Sequence, residues 1–229
     1  MFTGIVQGVG RIERVEPLGA DAGVRLTVDA QRVPLAGARV GDSIALNGAC
    51  MTITSLAGQR FTVDVSRESL ARTVGLDAPG EVNLETALAL GDKLGGHLVS
   101  GHVDGVGEVM RFAPVGESWD LVVRAPRELA KYFAYKGSVA VDGVSLTVNR
   151  VTDTAAGCEL AINLIPHTIE VTTLKRLAPG GARRGRGAAC AGVRRCAAAR
   201  VRDRFRRRAR AVLRPDSLAR FVAGRSSAR

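Results

Sequence analysis

The chain has 229 residues, with 33 Lys and Arg against 22 Asp and Glu for a formal charge of +11, 46% hydrophobic residues, and 6 Phe, 2 Tyr and 1 Trp. That apolar fraction excludes a wholly disordered polymer, the length allows one large domain or two small ones, and no apolar run reaches the roughly 18 residues a spanning helix needs. Taken whole, the charge points to a nucleic-acid or membrane-surface binder, but residues 181–229 hold 16 Arg, no Lys and only Asp203 and Asp216, or +14, which leaves residues 1–180 at −3.

In chain order, the N-terminal MFTGIVQGVG shows neither a basic n-region nor an apolar h-region, so the expected address is cytoplasmic. VRLTVDA (24–30), SIALNG (43–48), CMTITSL (50–56) and RFTVDVS (60–66) are short, partly alternating runs rich in β-branched residues and broken by Gly, Asn and Asp, which reads as strands. A helical turn is expected in SRESLARTVG (66–75), with Ser66 as cap and Ser69 three residues on. Ala78-Pro79-Gly80 then leads into a strand over 81–85. The rhythm returns with DLVVRA (120–125), a turn at PRELAKYF (126–133) with Pro126 in its first turn, SVAVDG (138–143), SLTVNRV (145–151) and CELAINLI (158–165).

This return is an internal repeat. FTGIVQGVGRI (2–12) recurs as VSGHVDGVGEV (99–109) at an offset of 97, NGACMT (47–52) as DGVSLT (142–147) at 95, and DVSRESL (64–70) as NLIPHTI (163–169) at 99. Two copies of one module of about 95 residues meet near Gly95-Gly96, giving domains at 1–96 and 97–180 followed by a basic tail. Many short strands at about ten-residue spacing make the body all-β, two tandem antiparallel barrels.

Several motifs carry less than they first offer. Gly8-Val9-Gly10 and Gly105-Val106-Gly107 lack the third glycine and following helix of a dinucleotide fingerprint. Ser100 is followed directly by Gly101, so no nucleophile elbow forms. His97 and His102, five apart on a strand, face opposite ways and make no metal pair. Cys50, Cys158, Cys190 and Cys196 have no zinc or CxxC spacing and read as free thiols.

MFTGIV, NGACMTIT, GGHLVSGHVDGVG, YKGSVAVDGVSLTV and LIPHTIEVTTL together resemble the riboflavin synthase alpha-chain family over about residues 1–180. The resemblance implies two six-stranded Greek-key barrels with short helices, each holding one 6,7-dimethyl-8-ribityllumazine. It implies transfer of a four-carbon unit between two such molecules to give riboflavin and 5-amino-6-ribitylaminouracil. It further implies a homotrimer clamped by a C-terminal helix, with the chamber between the N-barrel of one subunit and the C-barrel of a neighbour. The residues agree with a two-substrate reaction, because a duplicated barrel supplies two similar pockets. The lumazine C7 methyl is acidic since the ring delocalises the carbanion, so no metal or other cofactor is expected.

The copies must also differ, because one molecule donates carbons and the other accepts them. Aligned differences are Ile5 against His102, Gly41 against Lys136, Cys50 against Ser145, Ser66 against Ile165, Arg67 against Pro166 and Glu68 against His167; Gly4 with Gly101, Val6 with Val103, Thr52 with Thr147, and Ser69 with Thr168 are shared or similar. The shared set is assigned to the common ring and ribityl chain, and Met51, Asp64, Val65, Leu146, Leu164 and Ile169 complete the substrate-contact set that the resemblance outlines. His102 is the candidate for proton transfer, since imidazole exchanges a proton near neutrality; the other reading is a hydrogen-bonded structural His at a strand start. Ser145 and Thr147 share a strand face and can turn two hydroxyls into one pocket. Cys50 is read as a polarisable wall, with no His or Lys near in sequence to activate it, and Ser43 as a group that polarises the lumazine or positions water. Lys136 either meets the ribityl chain or is a solvated charge.

After Ala178-Pro179-Gly180 the family's V-N-x-E strand, its Asp and the trimer helix have no match, and 33 of the 49 remaining residues are Arg, Ala or Gly. A frameshift near codon 181 accounts for this, and the second barrel is then expected to lack its last strand and show an open edge. Residues 199–213 can be drawn as an Arg-rich helix with Val201, Phe205 and Val212 near one face, suited to a disordered arm or non-specific RNA contact. Two alternatives stand beside the synthase: a non-catalytic lumazine- or flavin-binding protein, and a nucleic-acid binder acting through the tail.

Overall fold

The computed structural model describes residues 1–180 and the backbone of 188–192. The first barrel is built from β1 (Gly8–Pro17), β2 (Val24–Asp29), β3 (Ser43–Leu46), β4 (Ala49–Ala57), β5 (Arg60–Val65) and β6 (Gly80–Thr86). It closes in the order β1-β2-β5-β4-β3-β6, with every adjacent pair antiparallel. The second uses β7 (Gly105–Val115), β8 (Ser118–Ala125), β9 (Ser138–Val141), β10 (Val144–Thr154), β11 (Gly157–Leu164) and β12 (Ala188–Gly192) and closes in the same cyclic order. Closure leaves neither barrel an unpaired edge.

The repeat is reproduced in fine detail. The register slips between Ile12 and Arg14 and between Ile53 and Ser55 recur between Val109 and Arg111 and between Val148 and Arg150. Asn47-Gly48 and Asp142-Gly143 turn two matched two-residue hairpins with φ of +46° and +82° in both copies, the left-handed pair of a type I′ loop. Inward positions fill each barrel at the period of two: Ile12, Leu26, Ile44, Ile53 and Phe61 in the first, Val109, Leu121, Val148, Leu160 and Ile162 in the second. Trp119 stacks on Phe112 with centroids 4.7 Å apart, against the second core.

Short helices fall at matched places. Ser66 caps α1 (Arg67–Arg72) by accepting from Ser69 N, and α2 (Pro166–Val171) occupies the equivalent position after β11. The turn expected at 126–133 is a 3-10 helix over Arg127–Tyr132, with Pro126 one residue earlier than expected, at the cap. No helix of the described residues is long and apolar enough to cross a membrane.

The open edge expected of the second barrel is corrected, because β12 pairs with both β7 and β9. A ladder is made by backbone groups, so the small residues of AACAG suffice for it. Its register places Cys190 and Gly192 where the first barrel has Asn83 and Glu85. The helix drawn over 199–213 and the rest of the tail lie outside the described residues.

Candidate active site

Each barrel is preceded by an arm that lies on the other barrel. Ser145 N of β10 donates to Gly4 O at 2.6 Å, and Cys50 N of β4 donates to Gly101 O at 2.8 Å. Phe2 and Val99 exchange both backbone hydrogen bonds, at 2.8 and 2.9 Å. Val6 packs against the second core and Val103 against the first. Gly4 and Gly101 have φ of +74° and +82°, and a Cβ on them would stand 2.8 Å from Ser145 Cβ and 2.5 Å from Cys50 Cβ. Only glycine permits both the backbone conformation and the approach. Between the barrels the hairpins meet back to back, a Cβ on Gly48 falling 2.8 Å from Gly143 Cα, and Phe2, Val99, Ala45 and Ala140 form a small shared core.

Two half-sites result, each made from a strand and helix of one barrel and the arm of the other. In the first, a pocket of about 230 Å³ opens between Cys50, the helix residues Glu68, Ser69 and Arg72, and the arm residues Gly101, His102 and Val103. Glu68 and Arg72 pair one turn apart on α1, which raises the Arg72 guanidinium further above its ordinary value. In the second, Ser145 stands in the place of Cys50, Gly4–Val6 in that of the arm, and α2 in that of α1. Thr172 Oγ1 donates to Thr168 O at 2.6 Å as Thr73 Oγ1 does to Ser69 O at 2.7 Å.

Polar groups fix the arm of the second half-site. The Glu85 carboxylate of β6, buried, accepts from Thr3 N (2.6 Å), Thr3 Oγ1 (2.7 Å) and Gly4 N (3.0 Å). Burial pushes its carboxyl above the usual carboxylate range, against the opposing pull of these hydrogen bonds. Asn83 ties the barrels together, donating to Asp142 O and accepting from Thr173 N, both at 2.8 Å. His97 donates its backbone N–H to Thr3 O at 2.9 Å and sets Nδ1 2.8 Å from Ser145 Oγ.

The structure brings Cys50, Glu68, Ser69, Gly101, His102 and Val103 together at one half-site, and Gly4 with Ser145 at the other. Ser43 lies opposite Thr52, two residues along the face from Cys50, and Thr147 lies opposite Ser138 in the same relation to Ser145. Met51, Val65, Leu146 and Leu164 are side chains of the barrel cores, since each alternates with an outward neighbour. Asp64 pairs with Arg25 at 2.7 Å, which lowers its carboxyl, and Arg67 pairs with Asp21. Lys136 Nζ donates to Asn149 Oδ1 at 2.8 Å on the surface. Ser66 is occupied as the α1 cap; Ile5, Ile165, Pro166 and His167 are exposed, and Thr168 and Ile169 half-buried, at the arm and at α2. His97 and His102 do not sit on one strand; they precede β7 and serve different half-sites. Thr3, Arg72, Thr73, Glu85 and His97 are the site residues that sequence reasoning missed. For Glu85 the signal was the V-N-x-E pattern lost from the second copy.

The lumazine-binding domain model matches residues 3–87 and again 100–182, so each match begins inside an arm. The riboflavin synthase of Photobacterium phosphoreum is 43% identical over 176 residues, 76% of this chain and 78% of its own. That of Mycobacterium tuberculosis is 44% identical over 194 residues, 79% and 89% of the two chains, and that of Bacillus amyloliquefaciens 39% over 182, 79% and 81%. Among solved structures, LumP complexed with riboflavin has the same fold, with a TM-score of 0.69 at 22% identity over 85% of this chain and 100% of that one. LumP complexed with 6,7-dimethyl-8-ribityllumazine gives 0.68 at 20%, over 85% and 99%.

Proposed function

The chain belongs to the riboflavin synthase family of paired lumazine-binding barrels, and on that premise we propose that it converts two 6,7-dimethyl-8-ribityllumazine molecules into riboflavin and 5-amino-6-ribitylaminouracil. The observation that carries this reading is the reciprocal exchange of arms, which gives one chain two half-sites of the same plan and different chemistry. Identical substrates entering unlike sites can take unlike roles, one giving up its four carbons and one receiving them.

Backbone groups at Gly4–Val6 and Gly101–Val103 and the hydroxyls of Thr52, Thr147, Ser69 and Thr168 hold the common ring and ribityl chain. In the first half-site His102 moves the proton, beside the Cys50 thiol and Ser43. In the second, Ser145 and Thr147 present oxygen to the heterocycle. Lys136 reaches the ribityl chain only if it releases Asn149. Holding two heterocycles in register lowers the barrier by up to about 7–11 kcal/mol. The full chamber joins the first half-site of one chain to the second half-site of another, in a homotrimer. Cys50 and Cys158, thiols outside any disulfide among the described residues, suit a reducing, cytoplasmic compartment.

Incubation of the purified protein with the lumazine, followed by riboflavin fluorescence, tests the reading. Conversion is expected, and His102→Gln should lower kcat by about 100-fold or more. Saturating binding of lumazine with no riboflavin formed overturns the synthase assignment in favour of a binding protein.

A further inference from the structure

The two half-sites differ in what stands behind their central residue. Both residues are held by their backbone N–H, Cys50 to Gly101 O and Ser145 to Gly4 O, but the Cys50 thiol receives no hydrogen bond among the described residues, whereas the Ser145 hydroxyl lies 2.8 Å from His97 Nδ1. The segment carrying His97 is seated by design of the chain: a Cβ on Gly96 would collide with Thr3 O and stand 3.0 Å from Ser145 Cβ, and His97 N–H bonds Thr3 O, whose own residue is clamped by Glu85. The imidazole is therefore fixed against the arm and half-buried.

Resting on the functional reading above, we propose that His97 is a positioning residue of the second half-site, acting through Ser145. With the Nε2–H tautomer, Nδ1 accepts the Ser145 O–H, which fixes the hydroxyl in one rotamer and turns its lone pairs into the site. Ser145 then offers the bound lumazine a hydrogen-bond acceptor, where Cys50 in the first half-site offers a soft and weakly polar thiol. His97 thus makes the two half-sites electrostatically unlike, although the ligands entering them are the same. It touches no substrate in this assignment; it decides which face of Ser145 the substrate meets.

The test uses the full chain and two readouts besides turnover. The first is the imidazole nitrogen spectrum, which should report the Nε2–H tautomer in the free protein and change on Ser145→Ala. The second is exchange of the lumazine C7-methyl protons in heavy water, followed by NMR on the bound ligand. His97→Ala should slow exchange by up to about 100-fold while lumazine affinity stays within about twofold. His97→Asn, which keeps a hydrogen-bonding atom near the Nδ1 position, should recover most of the rate. In the Ser145→Ala background, His97→Ala should add no further loss, because both changes remove one interaction. Additive losses, or wild-type exchange in His97→Ala, overturn the proposal while leaving the synthase reading intact. A wild-type protein that neither binds nor exchanges lumazine overturns both. If His97→Ala fails to fold, the Asn variant and the tautomer spectrum decide.

Discussion

Replacing Glu85 with Ala removes the one acceptor that satisfies three donors of the N-terminal arm. Thr3 and Gly4 are both buried, so two backbone N–H groups are left without partners, while the Thr3 hydroxyl can turn elsewhere. An orphaned buried donor costs about 1–3 kcal/mol, or about 2–6 kcal/mol for the pair. Part is returned, because the ionised carboxylate is itself penalised by burial, as its upward shift shows. A net loss of about 2–4 kcal/mol remains, close to the cost of breaking a buried charged contact. With a urea dependence of about 2 kcal/mol per M, the unfolding midpoint should fall by about 1–2 M. Amide exchange should localise the damage, with lost protection at Thr3, Gly4 and also Ser145, whose N–H is held by Gly4 O. A midpoint shift below about 0.3 M, or unchanged protection at Gly4 and Ser145, would refute the clamp as the support of this arm.

Glu85→Gln should also change the pH dependence of stability. A carboxyl whose folded value is raised contributes stability that is present below its unfolded value and lost as pH rises through the folded one; the Gln variant should lack that decline above about pH 4.5 in urea titrations at stepped pH. Gly101→Ala places a methyl 2.5 Å from Cys50 Cβ at φ +82°, so calorimetry should find one of two lumazine equivalents per chain lost, and full stoichiometry would count against the exchanged-arm site. Gly143→Ala, which would meet the Gly48 backbone at 2.7 Å, should lower the thermal midpoint by several degrees through the barrel contact. Since the only tryptophan stacks on Phe112 in the second barrel, intrinsic fluorescence should follow unfolding of that barrel and miss changes confined to the first.

The barrels were legible because each depends on local signals: alternating β-branched runs, Asn47-Gly48 and Asp142-Gly143 at the hairpins, and Ser66 as a cap. α2 was legible in principle, since NLIPHTI aligns with DVSRESL, but the strand pattern of CELAINLI (158–165) ends without a cap residue to announce a helix after it. The arm exchange had no such signal. It is carried by backbone bonds from Ser145 and Cys50 to Gly4 and Gly101, which no side chain announces; two matched glycines were the sole trace. His97 and Ser145 are 48 residues apart and meet only because the link between barrels folds back over the arm. Alternation turns the side chains of Met51, Val65, Leu146 and Leu164 into the barrel cores.

The contact between the barrels is self-complementary: Phe2 meets Val99, Gly48 meets Gly143, and each arm crosses to the opposite strand. A surface of that kind is also of the right plan for either barrel to meet a second copy of itself. The peptide joining them, besides carrying His97 to Ser145, also sets stoichiometry. By keeping unlike partners at high local concentration it suppresses like-with-like pairs, and so every folded chain carries one thiol-centred and one hydroxyl-centred half-site, never two of a kind.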